Sequence, residues 1–85
     1  MHYVYLLQSR KDKSLYVGNT NNLEKRLVEH SSGKISYTKS HMPLRLVYYE
    51  AYLDRLDALG RENKLKHHGS VIGHLKRRLK RSLAS

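Results

Sequence analysis

Ser9-Arg10-Lys11-Asp12-Lys13 is the stretch that most restricts what this chain can fold into. It is short and polar, and a β-rich run stands on each side: Tyr3 to Gln8 before it, Ser14 to Gly18 after it. So short a connection suits a hairpin, whereas a parallel crossover needs a dozen or more residues. The chain is therefore expected to open as an antiparallel strand pair. Tyr3, Tyr5 and Leu7 then share one face of the first strand, and Val4 and Leu6 share the other. Tyr16 joins the face of Tyr5 only if the numbers of opposed residues sum to an odd value, which the sequence leaves open.

The second run ends in Gly18-Asn19-Thr20-Asn21-Asn22, read as a turn. A helix follows from about Leu23 to Ser31, with Asn21 as its N-cap, Glu24 in a capping-box arrangement, and Gly33 at its stop. Residues 33–42 read as a polar loop. Pro43 opens a third strand, Arg45 to Tyr49. Asp54 caps a second helix that runs to about His67 and is closed by Gly69. Ser70 caps a third helix reaching about Leu83, with Val71, Leu75 and Leu79 as its apolar stripe. The order ββαβαα predicts an α+β fold: a small three-stranded antiparallel sheet flanked by three helices. At 85 residues the chain has room for one modest core, so residues 1–85 are expected to form one domain with a basic C-terminal helix at about 70–83.

Composition narrows the function. There is no cysteine, which excludes a disulfide framework and a cysteine-based zinc site. No apolar run is long enough to span a membrane. The N-terminus lacks the basic start and apolar stretch of a signal peptide, so a cytoplasmic location is expected. Seventeen Lys and Arg against seven Asp and Glu give a net charge of +10, which points to a polyanionic partner. Nucleic acid is the leading candidate and an anionic membrane surface the second. Seven tyrosines with no Phe or Trp suggest a half-buried sheet, some of whose phenols reach into a site.

Three side chains sit oddly for solvated charges. With Leu23 set at zero on a helical wheel, Leu27 lies near about 40°, His30 near −20° and Arg26 near −60°. Arg26 and His30 are thus one turn apart, on or beside the apolar stripe, while Lys25 and Glu29 point away. In the second helix Glu62 falls between Leu59 and Leu65. A carboxylate there must meet a cation, a metal or water, because an unpaired buried charge costs more than the ~1–3 kcal/mol of an unsatisfied neutral group. An ion pair with one of the many lysines or arginines meets that need, and so does Mg²⁺, which often takes only one or two carboxylates and keeps several waters. Two phenols, an arginine, a histidine and a carboxylate make a coherent set for phosphodiester hydrolysis. Arginine suits phosphate oxygens, and a phenol or imidazole suits the proton on an attacking water.

These residues also carry a resemblance. Tyr3-Val4-Tyr5, followed by Tyr16-Val17-Gly18, resembles the paired motif of the GIY-YIG nuclease superfamily. Leu23 to His30 looks like its arginine-bearing helix, Leu46 to Glu50 like its third strand, and Ala58 to Lys66 like the helix with its metal-binding glutamate. The chain is most similar to the short stand-alone bacterial branch. The resemblance implies that Tyr5 and Tyr16 orient or deprotonate the attacking water and contact the scissile phosphate. It implies that Arg26 stabilises the phosphate, that His30 assists proton transfer, and that Glu62 holds a single divalent ion, Mg²⁺ or Mn²⁺. It places both phenols on the site side, hence an odd register sum, and it makes Gly18 the glycine of a tight turn. Three departures stand out: Tyr3 in place of the first glycine, Asn19 where the branch often has tyrosine, and Gly60 inside the second helix.

The resemblance implies a divalent-metal-dependent DNA endonuclease, akin to repair and recombination nucleases, whose hydrolysis leaves a 5′-phosphate and a 3′-hydroxyl. Selectivity for single strands or branched structures stays open, as does a protein partner that supplies targeting. Lys64, Lys66, Lys76, Arg77, Arg78, Lys80 and Arg81 are the candidate nucleic-acid contacts, which would make binding salt-dependent. The alternative is a non-catalytic nucleic-acid-binding module. A small domain for anionic surfaces or protein interaction ranks third, since it leaves the Tyr5, Tyr16, Arg26, His30 and Glu62 set unexplained.

Overall fold

The computed structural model describes residues 1–85. Strands β1 (His2–Ser9) and β2 (Leu15–Thr20) form the opening hairpin, followed by α1 (Leu23–Ser31) and the one-turn α2 (Ser36–Lys39). Strand β3 (Leu44–Tyr52), α3 (Arg55–His67), α4 (Gly69–Arg78) and α5 (Lys80–Ala84) complete the chain. The sheet is antiparallel in the order β2-β1-β3, as the α+β reading expects. No helix is long and apolar enough to cross a membrane.

Alternation along β1 divides the molecule. Val4 and Leu6 face Ala58 and Leu65 of α3 and Leu75 of α4, and with Val17 they form the buried core. Tyr5 and Leu7 point to the opposite face, where α1 lies. The register pairs Tyr5 with Gly18 and Leu7 with Tyr16, an odd sum that puts both phenols on the α1 face. A bulge between Leu6 and Leu7 shifts the pairing with β3, so that Tyr48 opposes Leu6 and Leu46 opposes Leu7.

A polar cluster locks α3 to the sheet. Glu50 of β3 accepts from Arg61 Nε at 2.9 Å and Nη2 at 3.0 Å, and from the hydroxyls of Tyr48 and Tyr52. Burial alone would raise the pKa of Glu50, but Arg61 and the two phenols hold it below the usual value. Desolvation of such a group is tolerated when its lone pairs are filled this way. Arg61 precedes Glu62 in the chain, so this lock also fixes the rotation of the helix that carries the candidate carboxylate.

Several local expectations are corrected. The N-cap of α1 is Asn22, whose side chain accepts from Lys25 N, while Asn21 stays exposed before it. Strand β2 runs on to Thr20, and Gly18 is a strand residue rather than a turn residue. Gly33 does end α1, with φ +76° and N–H groups from Gly33 and Lys34 closing on the carbonyls of His30 and Glu29. Residues 36–39, read as loop, form α2; four residues are too few to show a helical period. Gly69 starts α4 instead of closing α3, and His68 occupies the N-cap position expected for Ser70. The segment read as one helix over 70–83 breaks at Leu79, where φ −101° and ψ 17° leave the helical region. Beyond the break, Arg45 donates to the carbonyls of Ser82 and Leu83 while also holding Gln8, which ties the last turn to the sheet.

Candidate active site

Tyr5, Tyr16, Arg26, His30 and Glu62 all line one cleft of about 230 Å³, together with Gly18, Asn19, Tyr37 and Lys66. The cleft crosses the free edge of β2. Tyr16 and Gly18 enter it from one face of that strand, Val17 and Asn19 from the other. Helix α1 supplies Arg26 and His30 from one side, and α3 supplies Glu62 from the other.

Tyr5 is buried at the centre of the sheet, and its hydroxyl lies 2.9 Å from His30 Nε2. Its ring crosses Gly18 so closely that a Cβ at that position would fall 2.5 Å from Tyr5 Cζ. The glycine therefore makes room for the phenol, which corrects the expectation of a turn. On the far side of the imidazole, His30 Nδ1 lies 2.7 Å from Thr38 Oγ1, and Thr38 reaches the Ile35 carbonyl at 3.5 Å. One arrangement gives each proton of this chain an acceptor. Tyr5 donates to Nε2, Nδ1–H donates to Thr38, and Thr38 donates to Ile35.

Burial raises the pKa of Tyr5, against a smaller downward pull from the Arg26 guanidinium. Burial lowers the pKa of His30, and the charge of Arg26 adds to that. At neutral pH the pair is thus a phenol and a neutral imidazole. A stability consequence follows. The folded-state value of His30 lies below its unfolded one, so its contribution is fully present above about pH 6.5 and is lost as pH falls toward the folded value, by at most roughly 1.4 kcal/mol per pH unit. Urea unfolding between pH 7.5 and 5 is expected to show this loss, and His30→Gln is expected to flatten that part of the curve.

Arg26 Nε is buried with no hydrogen-bond partner, and its Nη1 lies only at the 3.5 Å limit from Glu29. An orphaned buried donor costs about 1–3 kcal/mol. Tyr16 meets the rings of Tyr37 edge-on at 5.1 Å and of His41 at 5.2 Å. Its hydroxyl lies 2.8 Å from that of Ser14, which in turn is 2.5 Å from Asp12 Oδ1, while Asp12 Oδ2 holds His41 Nδ1 at 2.7 Å. These bonds hold Asp12 well below the usual carboxylate range, those from Ser14 foremost.

Glu62 is half-buried beside the Ala58–Leu65 stripe, as its place on the helix wheel predicted. Asn19 Nδ2 donates to its Oε1 at 2.7 Å, and Lys66 Nζ holds its Oε2 at 3.1 Å. Asn19, the departure from the branch's usual tyrosine, thus meets this carboxylate. Of the seven candidate nucleic-acid contacts only Lys66 lines the cleft. Lys64, Lys76, Arg77, Arg78, Lys80 and Arg81 are exposed on α3, α4 and α5. Sequence reasoning missed Thr38, Tyr37 and Ser14. Thr38 and Tyr37 fall in the segment read as loop, and no spacing ties any of the three to a motif.

A family model described as the GIY-YIG catalytic domain matches residues 1–71. The chain belongs to the GIY-YIG family. It is 46% identical over 67 residues to a UPF0213 protein of Clostridium perfringens, covering 78% of this chain and 71% of that one. It is 44% identical over 66 residues to a UPF0213 protein of Staphylococcus haemolyticus, covering 76% and 79%. The solution NMR structure of a UPF0213 protein from Bacillus halodurans superposes with a TM-score of 0.58 at 35% identity, covering 93% of this chain and 84% of that one. All five candidate residues of this GIY-YIG domain lie within the matched span, as do Thr38, Asn19 and Lys66. The basic residues from Lys76 onward lie beyond it.

Proposed function

We propose that this GIY-YIG protein is an endonuclease that hydrolyses DNA phosphodiester bonds. The observation that carries the proposal is the buried line Tyr5–His30–Thr38 ending in a cleft that is also lined by Arg26. A phenol whose proton already points at a neutral imidazole is suited to general-base work. As Tyr5 takes a proton from the attacking water, its own proton passes to His30 Nε2, and Thr38 keeps the imidazole in the tautomer that can receive it. Water attacks phosphorus and the P–O3′ bond breaks. The strand ends are then a 5′-phosphate and a 3′-hydroxyl, the leaving oxygen gaining its proton from solvent. Arg26 is placed to bind the phosphate oxygens as charge builds on them.

A divalent metal fits this donor set in one way. No three His, Cys, Asp or Glu side chains are grouped as ligands, so the ion would bind through Glu62 alone among the carboxylates and keep most of its waters, as Mg²⁺ does. That a cation, the Lys66 ammonium, already sits on Glu62 supports a positive charge at this place. Bound there, Mg²⁺ or Mn²⁺ would supply Lewis-acid stabilisation of phosphate charge. The exposed cations on α3, α4 and α5 would hold the DNA backbone. A partner protein and a role in repair or recombination would follow from the substrate the enzyme selects.

One observation favours the non-catalytic module: both oxygens of Glu62 are occupied by protein donors. A cleavage panel separates the readings. Labelled single strand, duplex, flap and four-way junction are incubated with Mg²⁺ or Mn²⁺, with and without chelator. Metal-dependent cutting of at least one substrate is expected. Salt-sensitive binding with no cutting of any substrate would favour the module.

A further inference from the structure

The two donors on Glu62 differ in kind. Asn19 is short and stands on β2, so its amide is a fixed orienting contact. Lys66 is long, its side chain is 37% exposed, and it comes from the next turn of the same helix. Lys66 borders both the cleft and an adjoining groove of about 490 Å³ lined by Leu15, Val17, Tyr37, Leu65, His67 and Ile72. A half-buried carboxylate needs a counter-charge, and Lys66 supplies it. A divalent ion on the same carboxylate would repel the ammonium, and the groove beside it gives the side chain somewhere to go.

We propose that Lys66 is an internal cation that neutralises Glu62 in the metal-free protein, gives way to the divalent ion, and turns into the groove to meet a substrate phosphate. The proposal rests on the reading of Glu62 as the metal-binding residue. Metal and nucleic acid then help each other: the ion frees one cation for the phosphate backbone, and by linkage the nucleic acid raises the affinity for the ion by the same factor. Lys66 acts by exchanging one anionic partner for another, so its removal has opposite effects on the two ligands. Metal binds more tightly without it, and nucleic acid more weakly.

The test is direct titration of Mn²⁺, followed by the signal of the free ion, on wild type, Lys66→Met, Lys66→Arg and Glu62→Gln without nucleic acid. Lys66→Met keeps most of the stem and is expected to bind Mn²⁺ about threefold to fivefold more tightly, the scale of one modest ion pair. Lys66→Arg is expected to match wild type, and Glu62→Gln to lose the site. A second readout is the salt dependence of binding to a labelled single-stranded oligonucleotide, measured in Tyr5→Phe protein so that the strand is not consumed. Added Mn²⁺ is expected to steepen the log–log slope by about 0.7 more when Lys66 is present than in Lys66→Met. If Lys66→Met binds Mn²⁺ like wild type while Glu62→Gln loses it, the exchange is refuted and Glu62 remains the ligand. If Glu62→Gln binds like wild type, or no variant binds at all, the assignment of Glu62 falls and the exchange falls with it. An equal Mn²⁺-induced change of slope with and without Lys66 overturns its turn toward the phosphate.

Discussion

Tyr5→Phe is expected to lower the cleavage rate by about 10²- to 10⁴-fold while leaving the protein folded, the range for losing a positioned general base. The substitution removes one oxygen. The ring remains across Gly18 and in the sheet, so the packing that holds β1 to β2 is kept. What disappears is the hydroxyl 2.9 Å from His30 Nε2. The imidazole then lacks its donor, so some destabilisation accompanies the change, on the order of the 1 kcal/mol net value of a hydrogen bond. Single-turnover cleavage with circular dichroism on the same samples separates the two effects. A rate within about threefold of wild type, far short of that range, would show that the Tyr5 phenol is not the base.

The largest effect on stability is expected at Leu6. This side chain of the central strand is 1% exposed and belongs to the buried cluster with Val17, Ala58, Leu65 and Leu75. Leu6→Ala is expected to destabilise the fold by about 2–5 kcal/mol, since a cavity there cannot collapse within a close-packed core. Total stability for domains of this size is on the order of 5–10 kcal/mol, so the variant sits near the edge of folding. Leu56→Ala is the matched control. Leu56 is 71% exposed and its replacement is expected to cost no more than about 0.5 kcal/mol. Urea denaturation of both variants checks the contrast. Because Leu6 points away from the Tyr5 face, its loss is expected to act on stability and to leave the hydrogen-bonded line of the cleft in place.

The contrast between Leu6 and Tyr5 also shows which features are legible in the amino-acid sequence. Strand alternation puts the two on opposite faces, and the five-residue loop makes the pair antiparallel. Helical spacing puts Arg26 and His30 beside one another and Glu62 at the edge of an apolar stripe, because 3.6-residue periodicity is a local property. The pairing register is not local. It depends on how the loop closes, where buried Ser9 accepts from Lys11 N and Asp12 N and donates to the His41 carbonyl. Only the family resemblance carries that parity. Thr38 is out of reach for a related reason: it sits on a single helical turn, and its significance comes from a contact with a residue of another helix. The Asn19–Glu62 bond spans β2 and α3, and the turn after Leu79 is held by Arg45 on β3. Each of these is set by tertiary contacts that no window of sequence contains.

Tyr5, His30, Arg26 and Glu62 are proposed to act as one hydrolytic site. Its most direct test is the single-turnover cleavage rate of Glu62→Gln beside wild type, in saturating Mg²⁺ and on the substrate that wild type cuts best. Glutamine keeps the shape of the side chain and an acceptor for Asn19, and removes the charge that would hold a dication. The account predicts a loss of at least about a hundredfold, the scale of several kcal/mol of charge stabilisation. An unchanged, metal-dependent rate in Glu62→Gln would contradict it.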